Sequence, residues 1–404
     1  MLFQPMKICR SQAKNMKISD NRINNYVVAW RRRIHAAPEL SFHEVLTSMA
    51  IAGELKRLGW QVKTGVGGTG VVGLLKGKGP GKTVALRADM DALPVQEENK
   101  VSYCSKTPGR MHACGHDGHC AMLLGAAKIL AGDKGNLKGS VKLLFQPGEE
   151  TPPGGAIGMI AAGALKDPRV DAVFGLHLDS SLPSGKIGLR QGPMMAASDN
   201  FKITIKGRGG HAARPHNCLD PINTGAQIVT ALQTIVSRRI DPAMPAVVTV
   251  GRFVSGTKHN IIPEAALLEG TARTIDRHTW KMMPLWIKQI AVSTARANGL
   301  TAAVEYERGY PVLYNDPGMI DFSEKIIRGL LGRTAVVHIS DPLMGGEDFA
   351  YFLQEAPGAF LRLGSRKDAG TAFPWHHPRF NIDEEVLPKG AILLSELAKE
   401  YLSF

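Results

Sequence analysis

Apolar positions along the chain follow two different orders, and the change falls near residue 197. Residues 21–59 carry two helical patterns, the second over 44–58 and stopped by Gly59, a usual C-terminal signal. Short β-type runs follow at 71–75 and 84–86, then a polar loop and an apolar helix over 118–130. A mainly apolar run at 141–145, with Lys142 in it, suits a buried strand, 156–164 looks helical, and 170–176 suits another buried strand. Strands alternating with helices predict an α/β layer architecture.

Beyond 197 the runs alternate instead. Strands at 201–205, 247–253, 267–275 and 302–306 interleave with amphipathic helices at 221–239 and 279–298. That order, βαββαβ, is the split βαβ or ferredoxin-like α+β sandwich with an antiparallel sheet. The α/β pattern then resumes with a helix over 319–331, strands at 335–338 and 360–363, and a closing helix over 383–401. The expected organisation is an extension at 1–20 and a mixed-sheet α/β domain in two parts, 21–196 and 309–404. A second domain, 197–308, is inserted between those parts.

Composition narrows the class without choosing a function. The 404 residues suffice for two domains, and 44% apolar with 21% charged residues is an ordinary globular balance. No apolar run reaches the roughly 18–20 residues of a membrane span. Residues 1–20 are basic and polar, lack the apolar centre of a secretory signal, and read as a frayed extension. Five cysteines in a chain of this size argue against a disulfide framework and for a reducing cytoplasm. The formal charge of +13 is spread along the chain with one short run, Arg31-Arg32-Arg33. It comes with no nucleic-acid motif, so neither nucleic acid nor membrane is an expected partner. A soluble surface rich in Lys and Arg accounts for the charge; a field that attracts anionic substrates is the alternative.

Candidate chemistry is concentrated in four places. The densest is His112-Ala113-Cys114-Gly115-His116-Asp117-Gly118-His119, with four potential ligands of first-row metals in eight residues. Thiolate and imidazole together suit zinc and its neighbours, and Gly115 permits a tight turn between Cys114 and His116. The second is Gln146-Pro147-Gly148-Glu149-Glu150, just past a predicted strand end, where active sites of α/β sheets form. Adjacent carboxylates point apart, so one can bind metal while the other serves as a base. A solvated acidic turn is the plain alternative. His177 follows an apolar run and reads equally as a core histidine; His376-His377 reads equally as a surface pair. Together the four places supply a thiolate, imidazoles, a ligand carboxylate and a spare carboxylate, the set that two metals need.

These segments, with residues 32–42, 85–94, 207–213, 260–263 and 345–349, resemble the M20 metallopeptidase superfamily. The similar branch is that of hippurate hydrolases, aminoacylases, thermophilic carboxypeptidases and plant auxin-conjugate hydrolases. The resemblance runs over about residues 25–400 in family order. It implies two divalent metal ions per chain, zinc first, with manganese, cobalt or nickel also fitting. Cys114 would bridge them, His116 and His177 completing one set of ligands, Glu150 and His376 the other. Glu149 matches the general base. His211 and Asn260 match substrate-contacting groups of the inserted domain, His211 also supporting the oxyanion. Arg273 is a candidate for the substrate carboxylate, with a surface ion pair as its alternative. The implied reaction is hydrolysis of an N-acyl amino acid of hippurate or N-acetyl type. A carboxypeptidase or dipeptidase on the same site is the rival. A homodimer or homotetramer through the inserted domain is the implied assembly. Two departures stand out. Gly148 replaces the family's usual Ala, and Arg87-Ala88-Asp89 stands where dinuclear peptidases of the superfamily carry a His-x-Asp ligand pair. Asp89 and Asp91 read as supports for ligands rather than as ligands.

Overall fold

The computed structural model describes residues 21–403; the extension expected at 1–20 lies outside them. The main sheet has eight strands, in spatial order Gln61–Thr64, Val71–Lys76, Ser140–Gln146, Thr83–Asp89, Ala172–Pro183, Gly358–Arg366, Ile187–Leu189 and Val336–His338. Its four central strands run parallel, and antiparallel strands flank them, so the sheet is mixed.

Alternation along the central strands builds two cores. Val84 and Leu86, Leu143 and Phe145, and Phe174 face one side, against the helices Asn21–His35, His116–Gly132 and Leu387–Ser403. Ala85, Leu144, Val173 and Phe360 face the other, against Gly155–Ala161 and Phe349–Glu355. Strands buried on both faces read as largely apolar runs, which is why 141–145 was legible although Lys142, buried with its Nζ donating to Ala164 O at 3.0 Å, interrupts it. Arg87 and Asp89 interrupt such a strand and are themselves buried.

Four further strands, in the order Ala246–Ser255, Ala265–Thr274, Ala197–Lys206 and Thr301–Tyr310, form an antiparallel sheet. The helices Pro221–Arg239 and Arg277–Ala297 cover it through a separate cluster around Phe201, Ile203, Ile228, Leu232 and Ile287. Asp220 and Asp276 start these helices by accepting from Ile222 N–H at 2.8 Å and Thr279 N–H at 2.6 Å.

Some boundaries differ from the sequence expectation. The apolar helix expected from 118 begins at His116, because left-handed Gly115 (φ +88°) reverses the chain one residue earlier. His177 lies inside the strand Ala172–Pro183 rather than at a strand end. The helix Phe349–Glu355 and the short strands Gln61–Thr64, Ile187–Leu189, Gly192–Met195 and Leu313–Asn315 had no sequence counterpart. They are too short to show a period.

Candidate metal centre

The site forms where the parallel strands Thr83–Asp89 and Ser140–Gln146 end, and His177 reaches it from within the strand Ala172–Pro183. Five residues from distant segments meet there. Ligand atoms of Cys114, His116 and His177 lie within 4.8 Å of one another, as do those of Cys114, Glu150 and His376. Cys114 belongs to both groups. Its Sγ is 3.6 Å from His177 Nε2. Glu150 Oε1 is 3.8 Å from His116 Nε2 and 3.3 Å from His376 Nε2.

Two of the three imidazoles are aimed by their other nitrogen. His177 Nδ1 donates to Leu178 O at 2.7 Å, and His116 Nδ1 donates to Asp91 O at 2.9 Å. A carbonyl can only accept, so both rings carry hydrogen on Nδ1 and present Nε2 to the site. His376 holds a left-handed backbone (φ +65°), and its N–H is tied to Ala113 O at 2.8 Å, beside Cys114. Strain of this kind costs on the order of 1–3 kcal/mol and persists where the surroundings fix it.

The other histidines of the dense cluster do not join. His119 is occupied at both nitrogens: Nδ1 donates to Asp89 Oδ1 at 2.6 Å, and Nε2 accepts from Leu178 N–H at 2.9 Å. It braces the strand that carries His177. His112 is buried, both its nitrogens lack hydrogen-bond partners among the described residues, and burial pushes its pKa down to about 4.

The donor set fits divalent cations. Among the described residues, His116 Nε2 and Glu150 Oε1 are buried and lack a well-formed hydrogen bond. Asp89, Asp91, Glu149, Glu150, Glu347 and Asp348 crowd one region around the guanidinium of Arg87. Burial, with Glu150 and Glu149 beside it, pushes the Cys114 thiol well above its ordinary value. Burial opposes charge on His116, yet Asp89, Asp91 and Glu150 push it up to about 10. A surplus of buried negative charge calls for cations, and in their absence protons take that place. Burial likewise raises Glu149 well above the carboxylate range, with Glu347, Glu150 and Asp348 adding to it.

Arg87 is the hub that the sequence did not reveal. Its guanidinium bonds Asp89 at 2.6 Å, Gln146 at 2.8 Å, Asp348 at 2.9 Å and Glu347 at 3.0 Å. The sequence signal was available: two charges in an otherwise apolar strand demand buried partners. Arg87→Met leaves those carboxylates without a counter-ion, and we expect a loss of about 3–5 kcal/mol in urea unfolding.

Burial also raises Glu347 from 4.5 to about 8, against the pull of Arg87. A folded pKa above the unfolded one contributes stability at low pH that disappears as pH rises through the folded value. Metal-stripped protein should therefore lose thermal stability between pH 4.5 and about 8. His116, at about 10, carries the same sign further upward. Differential scanning fluorimetry after chelation across that range checks it.

Gly148 adopts φ +62°, and a Cβ there would stand 2.4 Å from Cζ of Phe42. Glycine is thus matched to its neighbour and not merely permissive. His211 and Asn260 are adjacent, Ala212 N–H donating to Asn260 O at 3.1 Å, and both are exposed. Neither belongs to the five-residue group. Arg273 is half-buried, its Nε donates to Thr271 Oγ1 at 3.0 Å, and it makes no ion pair among the described residues.

The sequence profile of peptidase family M20/M25/M40 matches residues 85–400. The chain belongs to that family. Among M20 relatives it is 47% identical over 299 residues to an N-acyl-L-amino acid amidohydrolase of Geobacillus stearothermophilus, covering 74% of this chain and 80% of that one. It is 43% identical over 392 residues to thermostable carboxypeptidase 2 of Saccharolobus solfataricus, covering 96% and 98%. A solved M20 structure described as a dinuclear metal binding peptidase, from Bacillus subtilis, superposes with a TM-score of 0.84 at 35% identity, covering 95% and 99%. This M20 chain is a metal-dependent hydrolase of amide bonds with a site for two divalent metals. Among the described residues no helix is long and apolar enough to cross a membrane.

Proposed function

We propose that this enzyme hydrolyses N-acyl amino acids, releasing a carboxylic acid and a free amino acid. One observation carries the reading: two ligand groups share Cys114, and a buried carboxylate, Glu149, stands beside them. In this reading Cys114, His116, His177, Glu150 and His376 would hold the two cations, Cys114 belonging to both sets of candidate ligands. Zinc suits that set, and manganese, cobalt or nickel remain compatible. When bound, the two cations supply Lewis-acid polarisation of the amide carbonyl and acidify a water.

The chain's own groups do the rest. Glu149 takes the water's proton and delivers it to the departing amine nitrogen. Asp91 and Leu178 O keep the two imidazoles aimed. Tyr310 O–H donates to the Glu149 carbonyl and holds that residue's backbone. His211 donates to the oxyanion, and Asn260 and Arg273 contact the amino-acid half. Arg273, with no ion pair among the described residues, has a guanidinium to offer a carboxylate. Because His211 stands outside the five-residue group, it reaches the reaction by movement of the 197–308 unit or from a second copy.

We assign that unit as an inserted domain and as the place where copies pair. Its edge strand Ala246–Ser255, with Phe253 and Val254 exposed, supports this. The buried free thiols Cys114 and Cys120 suit a reducing cytoplasm.

The Geobacillus relative favours the amidohydrolase reading; the Saccharolobus relative keeps carboxypeptidase activity as the second. Elemental analysis followed by a panel of hippurate, N-acetyl amino acids and dipeptides decides. We expect about two metals per chain and release of free amino acid from the N-acyl substrates. Turnover confined to unblocked peptides would overturn the assignment.

A further inference from the structure

Phe42 combines three features that packing does not explain. It is a large aromatic left 40% exposed. Its backbone is left-handed at φ +63°, a conformation that a bulky side chain adopts only when held there. Its ring lies flat enough on Gly148 that Cζ, Cε1 and Cε2 would all stand within 2.7 Å of a Cβ at that position.

The holding is built. Glu44 is fully buried, and its Oε1 accepts from both Phe42 N–H at 2.8 Å and Gly148 N–H at 2.9 Å. Its Oε2 is closed by the hydroxyl of Thr69. One residue earlier, Ser41 Oγ donates to Asp91 Oδ2 at 2.7 Å, the oxygen that also accepts Glu150 N–H at 2.9 Å. The turn carrying Phe42 is thereby fastened to both ends of the Gly148–Glu149–Glu150 segment. The apolar surface continues outward: Val45, Leu46 and Met49 are 52%, 66% and 66% exposed, and 45 and 46 share a helix face with 49.

We infer that Phe42 is the specificity-determining wall for the acyl group, selecting N-acyl amino acids whose acyl part is aromatic or otherwise bulky and apolar. The inference rests on the amidohydrolase reading above. An acyl group carried on the scissile carbonyl beside Glu149 meets the ring set against Gly148, and burying it there removes two apolar surfaces from water. An acetyl group is too short to gain the same contact.

The test compares kcat/KM for the N-acetyl, N-hexanoyl and N-benzoyl derivatives of one amino acid. Wild type, Phe42→Asn, Phe42→Leu and Phe42→Tyr are measured with metal content and thermal stability. Asn accepts a left-handed backbone, so it removes the ring while keeping the turn. We expect wild type to favour benzoyl over acetyl, and Phe42→Asn to lower that ratio by about 10- to 100-fold. Phe42→Leu should fall between, and Phe42→Tyr should restore the ratio. An unchanged ratio in metal-replete Phe42→Asn or Phe42→Leu overturns the wall while leaving amidohydrolase activity intact. Failure of wild type to cleave any N-acyl substrate overturns both.

Discussion

Glu149→Gln is expected to keep both metals and its fold while kcat falls by about 10²- to 10⁴-fold. The amide matches the carboxyl in size but cannot accept a proton from water. It also removes one carboxylate from a region where burial, with Glu347, Glu150 and Asp348 adding to it, already pushes Glu149 towards its neutral form. Stability should therefore be equal to or above that of the parent protein. The same experiment answers a structural question, because His116, Glu149 and Glu150 also lie within 4.8 Å of one another. Unchanged metal content with lost turnover assigns Glu149 as the base. Lost metal would make it a ligand and remove it from the proton-transfer role.

Cys114→Ala is expected to lose both metals, and activity with them. Its sulfur is the one atom common to the Cys114–His116–His177 and Cys114–Glu150–His376 groups. Outer-sphere changes alone cost roughly 10- to 100-fold in metal affinity, and a shared ligand should cost more. Elemental analysis after dialysis reads the result. Retention of one full equivalent would show that Cys114 serves a single ion, and retention of two would remove it from the ligand set.

How much of this was legible differs from residue to residue. Cys114, His116 and the Glu149–Glu150 pair announce themselves by proximity along the chain, since short spacing needs no knowledge of the fold. His177 and His376 do not. His177 is one imidazole in the buried strand Ala172–Pro183, and His376 reaches the site only because its N–H is tied to Ala113 O. Both entered through family resemblance. The supports were harder still. Glu347 and Asp348 lie about 260 residues from Arg87, and nothing local couples them. Element order was more visible than element edges. The βαββαβ order was readable because each strand alternates over several residues, whereas the three-residue strand Ile187–Leu189 has no room for a pattern. In the sequence Gly148 shows only as a departure from the family's usual Ala; the ring of Phe42 above it shows what the missing Cβ makes room for.

The place of the strand Gly358–Arg366 has a consequence for synthesis. It sits between Ala172–Pro183 and Ile187–Leu189 in the middle of the sheet, yet it is the last strand to be made. Until it emerges from the ribosome, the strand carrying His177 has an open edge on that side, and His376 does not yet exist. Proteins of this size meet their aggregation risk at such half-built edges. For this chain the open edge persists while every residue between Pro183 and Gly358 is made, a span set by strand order. His376 follows Gly358–Arg366, so the five-residue group can assemble only after the last strand of the sheet has been made.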